Sequence, residues 1–358
     1  MEKHEVVIVG AGPAGLKAAE LLGNAGKDVL VIERNKEEKI GDKVCAGALS
    51  PHAMKYFPDE LYERVVSSVT YHIGNRDLAG NFDEPLFALI SRLDMGQYQL
   101  KMAKESGAKI LTNTAVKGLD KEKNEIVLKD EERIVYEKLI AADGSTSTIR
   151  RQLGFNTNQM MQCIEYPVPG NFEKLEIHID LKKYGFTYVW IFPHKGYASI
   201  GTATFPSIMP ASEMSERFNR WALDKGIDLA KAKRRAHPIY FGYHGFKHGN
   251  VFLTGDAASF ACPADGEGIY QAIRSGEIAA RAIIDPKWNY KSELRDLLKY
   301  HRYGGWIIPW MTTFPKLSRN LMENLGGIMV MPGIASIISI FPKYVLKRAL
   351  KKPSRIDG

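Results

Sequence analysis

The chain has 358 residues, of which 45% are hydrophobic, and its formal net charge is +8. A chain of this length can bury a large core and is expected to form two domains. Its three cysteines, Cys45, Cys163 and Cys262, are too widely spaced for a disulfide framework or a metal-binding motif, which is typical of a reducing compartment. The N-terminus leads directly into an apolar run without a signal-like segment, so we expect a cytoplasmic protein.

The start of the chain predicts a βαβ unit of the kind that binds dinucleotides. An apolar run over 5–9 leads into a glycine-rich turn over 10–15, and a helical stretch connects this turn to a second apolar run over 29–32. Glu33 ends that run, about twenty residues after the glycines. Strand, turn, helix and acid all stand where such a unit needs them.

Each glycine of this turn has a mechanical reason. Gly10 permits the tight turn out of the strand, Gly12 lets the backbone approach a pyrophosphate, and Gly15 lets the helix pack closely on the sheet. The helix then points its free N–H groups and the positive end of its dipole at the phosphates. Glu33 is placed to accept hydrogen bonds from a ribose, which favours NAD or FAD over NADP.

The next distinctive segment, 43–50, contains the small residues Ala46, Gly47 and Ala48 in succession. Small residues allow a flat ring to lie against the backbone. An ordinary surface loop is the alternative interpretation.

From about 160 to 240 the apolar residues recur with a period of two, which is typical of half-buried antiparallel strands. The segment 186–205 predicts a hairpin. Tyr188, Trp190 and Phe192 share one face of its first strand. Such an aromatic stripe is either part of the core or the wall of a ligand site.

Two later segments have the same arrangement as the start of the chain, with an apolar run that ends beside an acid and a glycine. An apolar run before Asp143 and another before Asp256 each predict a strand that ends beside a glycine. A helix is predicted over 209–235, and another begins near Ile269 after a glycine-rich turn. This further helix N-terminus suits a long anionic cofactor.

The positive charge is concentrated at the C-terminus. Residues 324–342 carry no charged side chain, and a basic block follows from Lys343 to Arg355. This pairing favours a membrane surface over nucleic acid. Prolines interrupt the apolar stretch, so a transmembrane span is disfavoured, while an interfacial helix and a core helix both stay open.

Three motifs in this order resemble the flavoproteins of the p-hydroxybenzoate hydroxylase fold, and within them the geranylgeranyl reductases. They are the βαβ unit that ends at Glu33, the segment Ala142-Asp143-Gly144 with Ser147, and the segment Thr254-Gly255-Asp256-Ala257-Ala258. The resemblance extends over most of residues 4 to about 285. It implies FAD as the cofactor, with Asp256 on the ribityl chain.

Two stretches narrow the resemblance to the reductases. Segment 43–50 is similar to their cysteine- and glycine-rich flavin loop, and segment 188–193 is similar to their Tyr-x-Trp-x-Phe-Pro strand. Halogenases of the same fold carry a related aromatic strand. The chain departs from the family at Ala46 and Ala48, where glycine is common, at Cys262, and in its shorter C-terminal region.

The resemblance implies a set of site residues. Cys45, beside the flavin, is the candidate catalytic proton donor; simple packing of its thiol and a redox pair with Cys262 are the alternatives. Tyr188, Trp190 and Phe192 are the candidate substrate-binding residues. The implied cofactor-binding residues are Gly10, Gly12, Pro13, Ala14, Gly15, Glu33, Arg34, Cys45, Ala46, Gly47, Ala48, Arg92, Val116, Asp143, Gly255, Asp256, Gly266, Gly268 and Ile269.

The predicted fold class is α/β, with a Rossmann-like FAD-binding domain, an inserted antiparallel-sheet substrate domain and C-terminal helices. The expected FAD-binding domain is discontinuous. The boundaries are 1–64, 91–160 and 245–290 for the FAD-binding domain, 65–90 and 161–244 for the substrate domain, and 291–358 for a helical region that is a candidate membrane contact.

The expected function is reduction of isolated C=C bonds in a geranylgeranyl or other polyprenyl group on a lipid or isoprenoid diphosphate. Such a reaction needs a hydride from reduced flavin, a proton, and exclusion of water. Since no second nucleotide motif is visible, NAD(P)H that docks transiently or a small redox protein is the expected electron donor. The alternatives are an aromatic hydroxylase or halogenase of the same fold and a flavin-free RNA-binding protein. His194, His237 and His244 are assigned no role, and no metal site is predicted.

Overall fold

The computed structural model describes residues 2–74, 76–157, 159–185, 187–263, 266–314 and 317. The strands in chain order are β1 (Glu2–Val9), β2 (Val29–Ile32), β3 (Ala48–Leu49), β4 (Tyr62–Val66), β5 (Ser68–Ile73), β6 (Arg76–Asn81), β7 (Phe87–Ile90), β8 (Lys109–Leu111), β9 (Val116–Asp120), β10 (Glu125–Leu128), β11 (Arg133–Ala141), β12 (Met160–Pro169), β13 (Glu176–Ile179), β14 (Val189–Pro193), β15 (Tyr197–Thr204), β16 (Arg235–Tyr240), β17 (Lys247–His248) and β18 (Val251–Leu253). The helices are α1 (Pro13–Asn24), α2 (Pro51–Met54), α3 (Arg92–Glu105), α4 (Thr148–Gln152), α5 (Leu181–Tyr184), α6 (Ala211–Asp224), α7 (Ile269–Ile284) and α8 (Lys291–Thr313).

An eight-stranded sheet forms the nucleotide-binding half, with the order β17-β18-β11-β1-β2-β8 and with β10 and β9 attached beside β11. Strands β18, β11, β1, β2 and β8 run parallel. Val9 is in register with both Ile32 and Ala141, and Ala141 with Leu253. The segments after these four residues therefore leave the sheet at one edge, where ligands of parallel α/β sheets bind. This confirms the predicted Rossmann-like unit.

The first two strands of this sheet form around two uninterrupted apolar runs, 6–9 and 29–32. Val6, Val7 and Ile8 are completely buried, as expected for a parallel strand covered on both faces. Pro13 occupies the first turn of α1, where its missing N–H costs no hydrogen bond. Helix α7 approaches α1 so closely that a methyl group on Gly276 would lie 2.1 Å from the carbonyl oxygen of Ala14.

A seven-stranded sheet has the order β16-β12-β15-β14-β13-β5-β6. Its pairs are antiparallel except for β5 and β13, which run parallel. The predicted hairpin is confirmed as β14 and β15, with Gly196 at φ +80° in the turn. β5 and β6 are far from the other five strands in sequence, because strands and helices of the other sheets lie between them along the chain. The domain boundaries themselves stay a prediction.

The helix predicted over 209–235 is wrong in its second half. Helix α6 ends at Asp224, and Gly226 has φ +70°, a conformation that favours glycine and stops a helix. The chain then turns into β16 instead of continuing. Met214, Phe218 and Trp221 of α6 are buried against one face of the seven-stranded sheet.

A three-stranded sheet has the order β3-β7-β4, and β3 contains the end of the segment that resembles a flavin loop. The C-terminal stretch predicted to contact membrane, 324–358, lies outside the residues that the structure describes. Within those residues, no helix is both long and apolar enough to cross a bilayer.

Candidate functional site

A cavity of about 630 Å³ lies at the edge of the eight-stranded sheet where the parallel strands end. It brings together Glu33, Asp143 and Asp256, which the sequence places on three separate strand ends. The sequence-predicted residues that line it are Gly10, Gly12, Pro13, Ala14, Glu33, Arg34, Cys45, Arg92, Val116, Asp143, Gly255, Asp256, Gly266, Gly268 and Ile269.

The remaining predicted residues lie elsewhere. Gly15 is behind the turn, where a methyl group would lie 2.0 Å from the carbonyl oxygen of Gly10. Ala46, Gly47, Ala48, Tyr188, Trp190 and Phe192 are also not among the residues that line the cavity. Ala46, Ala48 and Tyr188 instead pack against an apolar cluster that contains Trp190 and Phe192.

The glycine-rich turn leaves space where a pyrophosphate needs it. Gly10 has φ +102°, and a methyl group there would lie 2.4 Å from the carbonyl oxygen of Ala142. A methyl group on Gly12 would meet nothing within 4 Å. Since Gly12 precedes α1 and lines the cavity, phosphate oxygens can approach the N–H groups at the start of this helix.

Glu33 holds the turn as well as facing the cavity. One carboxylate oxygen accepts a hydrogen bond from the N–H of Ala11 at 2.8 Å, and the other accepts one from the N–H of Asn35 at 2.8 Å. A carboxylate oxygen can accept more than one hydrogen bond. Glu33 can therefore brace the turn and still receive a ribose hydroxyl, the role predicted for it.

Asp143 keeps one carboxylate oxygen ready for a further donor. Its Oδ2 accepts hydrogen bonds from the N–H groups of Thr148 at 2.7 Å and Ile149 at 3.3 Å, at the start of α4. Its Oδ1 is buried and has no hydrogen-bond partner among the residues that the structure describes. Burial raises the pKa of Asp143 despite these N–H donors. A polar ligand in the cavity would satisfy this orphaned oxygen.

Asp256 is paired with a lysine from the segment 43–50. Nζ of Lys43 lies 2.7 Å from Oδ2 of Asp256, which also accepts a hydrogen bond from Oγ of Ser145 at 3.2 Å. Burial is the largest single influence on Asp256 and raises its pKa, but the Lys43 ammonium and the hydrogen bonds from Lys43 and Ser145 together hold the pKa below its usual value. His237 lies 3.3 Å from Ser145 Oγ, and burial together with Lys43 lowers the pKa of His237 to about 4. This imidazole is therefore neutral at pH 7.

Arg150, which the sequence analysis did not select, ties two of the cavity loops together. Its guanidinium is buried and donates hydrogen bonds to the carbonyl oxygens of Asp256 and Ala257, each at 3.2 Å. It also donates to the carbonyl oxygen of Ser145 at 2.7 Å. Burial lowers the pKa of Arg150 from its high intrinsic value, but an arginine stays charged. The Arg150 side chain thus hydrogen-bonds to both the loop after β11 and the loop after β18.

Cys45 is held at the cavity through its backbone and its sulfur. Its N–H donates a hydrogen bond to Oε2 of Glu165 at 3.0 Å, while Sγ accepts from the N–H of Gly47 at 3.5 Å. Nη1 of Arg92 lies 4.0 Å from the same sulfur. All three cysteines are free thiols, and a redox pair of Cys45 with Cys262 stays a prediction.

Glu165 is a second residue that the sequence analysis missed. It is 3% exposed, and burial raises its pKa. Its Oε1 accepts a hydrogen bond from Oγ of Ser199 at 2.9 Å, and Ser199 Oγ accepts one from Nε1 of Trp190 at 3.2 Å. Glu165 therefore links the backbone of Cys45 to the aromatic strand.

His194, for which no role was predicted, supports the same loop. One ring nitrogen lies 2.8 Å from the carbonyl oxygen of Ala46, and the other lies 2.6 Å from Oε2 of Glu63. Gly47 has φ +69°, and a methyl group there would lie 2.9 Å from the His194 ring. Only glycine fits at this point, so the loop passes close to the imidazole.

Comparison with known proteins agrees with this geometry. A model of the FAD binding domain matches residues 3–225. A digeranylgeranylglycerophospholipid reductase of Methanosphaera stadtmanae is 28% identical, with 100% of this chain and 90% of that protein covered. A geranylgeranyl diphosphate reductase of Rhodobacter capsulatus is 26% identical, with 79% and 75% covered.

A solved structure supports the same fold. It is a geranylgeranyl bacteriochlorophyll reductase-like protein from Thermoplasma acidophilum, with a TM-score of 0.77, 20% identity, and coverage of 97% of this chain and 98% of that one. The glycine turn, the open space at Gly12 and the orphaned Asp143 oxygen fit an adenine dinucleotide. The chain belongs to the FAD binding domain family and, within it, to the FAD-dependent oxidoreductases of the geranylgeranyl reductase family.

Proposed function

We propose that this protein reduces isolated C=C bonds of a geranylgeranyl or other polyprenyl group carried by a lipid or an isoprenoid diphosphate. The observation that carries the proposal is the contact between the flavin loop and the aromatic strand. Ala46 and Ala48 pack against the buried cluster of Trp190 and Phe192, next to a cavity that fits FAD. A prenyl chain needs such an apolar surface beside the redox centre.

The chain's own residues bind and orient the cofactor. Bound FAD, once reduced by an external electron donor, would supply the hydride. The turn at Gly12 would receive the pyrophosphate and Glu33 a ribose hydroxyl, while Asp143 and Asp256 would accept hydrogen bonds from other parts of the cofactor. Lys43 keeps Asp256 ionised, and therefore able to act as an acceptor.

Cys45 is the proposed source of the proton. In this step its S–H bond breaks, a C–H bond forms at the second alkene carbon, and a thiolate remains. Nη1 of Arg92, 4.0 Å from the sulfur, would stabilise that negative charge. Solvent then returns the proton before the next turnover.

Tyr188, Trp190 and Phe192 are the proposed substrate-binding residues. Trp190 and Phe192 are each 8% exposed, and Tyr188 packs against the same cluster. The prenyl chain would replace some of these contacts when it binds. NAD(P)H or a small redox protein is the proposed donor, because each reduced double bond consumes two electrons.

Expression of the chain in cells that make unsaturated prenyl lipids tests the proposal. Lipids from cells with the wild-type protein should gain one H₂ for each reduced bond, measured by mass spectrometry. Gly12→Val is the matched control, because a Cβ at this position would meet nothing within 4 Å and the added side chain would occupy the space that the pyrophosphate needs. Lipid masses equal to those of the Gly12→Val cells would contradict the proposal.

The names of the relatives favour a reductase over an aromatic hydroxylase or halogenase. Hydroxylases and halogenases of this fold consume O₂, whereas the proposed reduction does not. Oxygen consumption that is coupled to substrate would therefore favour the alternative.

We further propose peripheral contact with the inner face of a membrane through the basic residues of 343–355. The uncharged stretch before them and the lipid substrate support this proposal.

A further inference from the structure

The strands β5 and β13 bring two histidines and a glutamate together on one face of the seven-stranded sheet. His72 is in direct register with His178, and Glu176 lies two residues before His178 on the same strand. Because side chains alternate along a strand, all three point to the same side. Their neighbours Tyr71 and Ile177 point to the opposite side, into the cluster of Trp190 and Phe192.

The polar atoms of these side chains converge. Nε2 of His72 lies 2.9 Å from Oε2 of Glu176, and Nε2 of His178 lies 3.1 Å from the same oxygen. The two imidazole rings stack, with 4.2 Å between their centroids and an angle of 7°. Ligand atoms around a tetrahedral Zn²⁺ ion lie roughly 3.3 Å apart, given bonds of about 2.0–2.2 Å. All three ligand atoms lie within 4.8 Å of one another, so side-chain adjustments would bring them to this spacing.

A fourth residue sets the tautomer of His72. Asp77 is the cross-strand neighbour of His72 on β6, and its Oδ1 lies 2.7 Å from Nδ1 of His72. When Nδ1–H of a neutral His72 donates to this carboxylate, Nε2 carries the lone pair that can bind a metal ion. Carboxylates stand behind metal-binding histidines in this way.

A divalent cation can satisfy these groups together. The two Nε2 atoms and the Glu176 carboxylate oxygen all lie within 4.8 Å of one another. An ion bound at the point between them would take one ligand atom from each side chain.

The surroundings suit a fixed but accessible ion. His178 is 6% exposed, and its ring packs edge-on against Trp221 of α6. The side chains of His72 and Glu176 are 20% and 24% exposed, so an ion can enter from solvent. Two histidines and one carboxylate form a ligand set that Zn²⁺ uses, with a fourth position left for water.

We propose that His72, Glu176 and His178 bind one Zn²⁺ ion, with Asp77 orienting His72. The ion ties β5 to β13, the parallel pair that joins chain segments 104 residues apart in sequence. The site lies on the face of the sheet opposite the aromatic cluster, so its role is to stabilise the sheet rather than to take part in the redox reaction.

Equilibrium dialysis and metal analysis on the full chain, freed of any polyhistidine tag, test this proposal. Chelator-treated protein should bind one Zn²⁺ per chain, and Zn²⁺ should raise its Tm in a concentration-dependent way. Co²⁺ at the same site should show the visible absorption of a four-coordinate ion. Mg²⁺ and Ca²⁺ in excess should not displace Zn²⁺, because they prefer oxygen ligands.

Three variants make the result specific. His178→Ala and Glu176→Gln should lose the bound Zn²⁺, the Co²⁺ spectrum and the Zn²⁺-dependent rise in Tm. Asp77→Asn keeps all three ligands and changes an exposed side chain, so it should fold normally and bind Zn²⁺ about 10- to 100-fold more weakly. His244→Ala, at an exposed histidine elsewhere, is the control and should bind like wild type. Absence of stoichiometric Zn²⁺ in the wild type, or unchanged binding in Glu176→Gln and His178→Ala, would overturn the proposal.

Discussion

The backbone N–H of Cys45 donates a hydrogen bond to Oε2 of Glu165, 3.0 Å away. This bond joins segment 43–50 to β12. The other carboxylate oxygen of Glu165 accepts a hydrogen bond from Ser199, which in turn accepts one from Trp190. Glu165 is buried and its pKa is raised, so this link depends on pH.

The stability of the wild type should fall with rising pH relative to that of Glu165→Gln. The folded state retains a proton on Glu165 at pH values where the unfolded chain has released it. The contribution of the protonated Glu165 to stability is therefore complete below the ordinary glutamate pKa. It is lost as the pH rises through the raised pKa of the folded state. Chemical denaturation at several pH values measures this difference. Glu132→Gln, at an exposed position, is the control, and parallel pH profiles for wild type and Glu165→Gln would contradict the interpretation.

Replacement of Cys45 separates proton donation from packing. Cys45→Ala and Cys45→Ser should both slow alkene reduction while the purified protein keeps its bound FAD and yellow colour. Stopped-flow reoxidation of the reduced flavin by substrate measures the step. Turnover equal to wild type in both variants would remove Cys45 as the proton donor.

Lys43→Met should make FAD binding depend on pH. Without the ammonium 2.7 Å away, burial raises the pKa of Asp256, so the carboxylate ionises only at higher pH. FAD affinity of the variant should therefore increase as the pH rises from acid to neutral, while the wild type changes little. Fluorescence titration of the apoprotein measures the affinity. Lys39→Met is the control, because it removes an exposed charge that also lines the cavity. The same pH dependence in Lys39→Met would mean that any loss of positive charge at the cavity has this effect, and not the loss of the Asp256 partner.

Arg150→Met should lower the free energy of unfolding by about 2–4 kcal/mol, because three buried carbonyl oxygens lose a charged donor. Arg151→Met is the matched control, since Arg151 is the neighbouring residue in α4 but is exposed. Its effect should stay below about 1 kcal/mol. Denaturant unfolding of both variants measures the difference, and equal losses would mean that Arg150 does not tie the loops.

Deletion of residues 324–358 should weaken binding to anionic liposomes. The deleted part contains the basic block and the uncharged stretch before it. Sedimentation with vesicles that contain phosphatidylserine measures the binding, with neutral vesicles as the comparison. Unaltered sedimentation of the shortened protein would dismiss the membrane contact.

Local sequence predicted which strand ends meet at the cavity. The spacing of Gly10, Gly12 and Glu33 depends on one βαβ unit, and strand ends of a parallel sheet meet at one edge, so Asp143 and Asp256 could be expected there. The helix over 209–235 was wrong in its second half because Gly226 adopts a positive φ that an apolar pattern does not reveal.

Partners across the fold could not be predicted. Lys43 and Asp256 are 213 residues apart, and Cys45 and Glu165 are 120 residues apart. The period-two pattern predicts that a glutamate such as Glu165 is exposed. It is buried only because segments distant in the same sequence pack over it. The register of β5 against β13, which brings His72 beside His178, is likewise set by tertiary pairing rather than by local pattern.

Anaerobic turnover tests the central claim most directly. Protein with bound FAD, reduced by dithionite and freed of excess reductant, is mixed with a geranylgeranyl substrate in the absence of O₂. The account predicts that the oxidised flavin spectrum returns and that the product gains one H₂ per flavin. A flavin that stays reduced with the substrate until O₂ is admitted, and then yields an oxygenated or halogenated product, would contradict it.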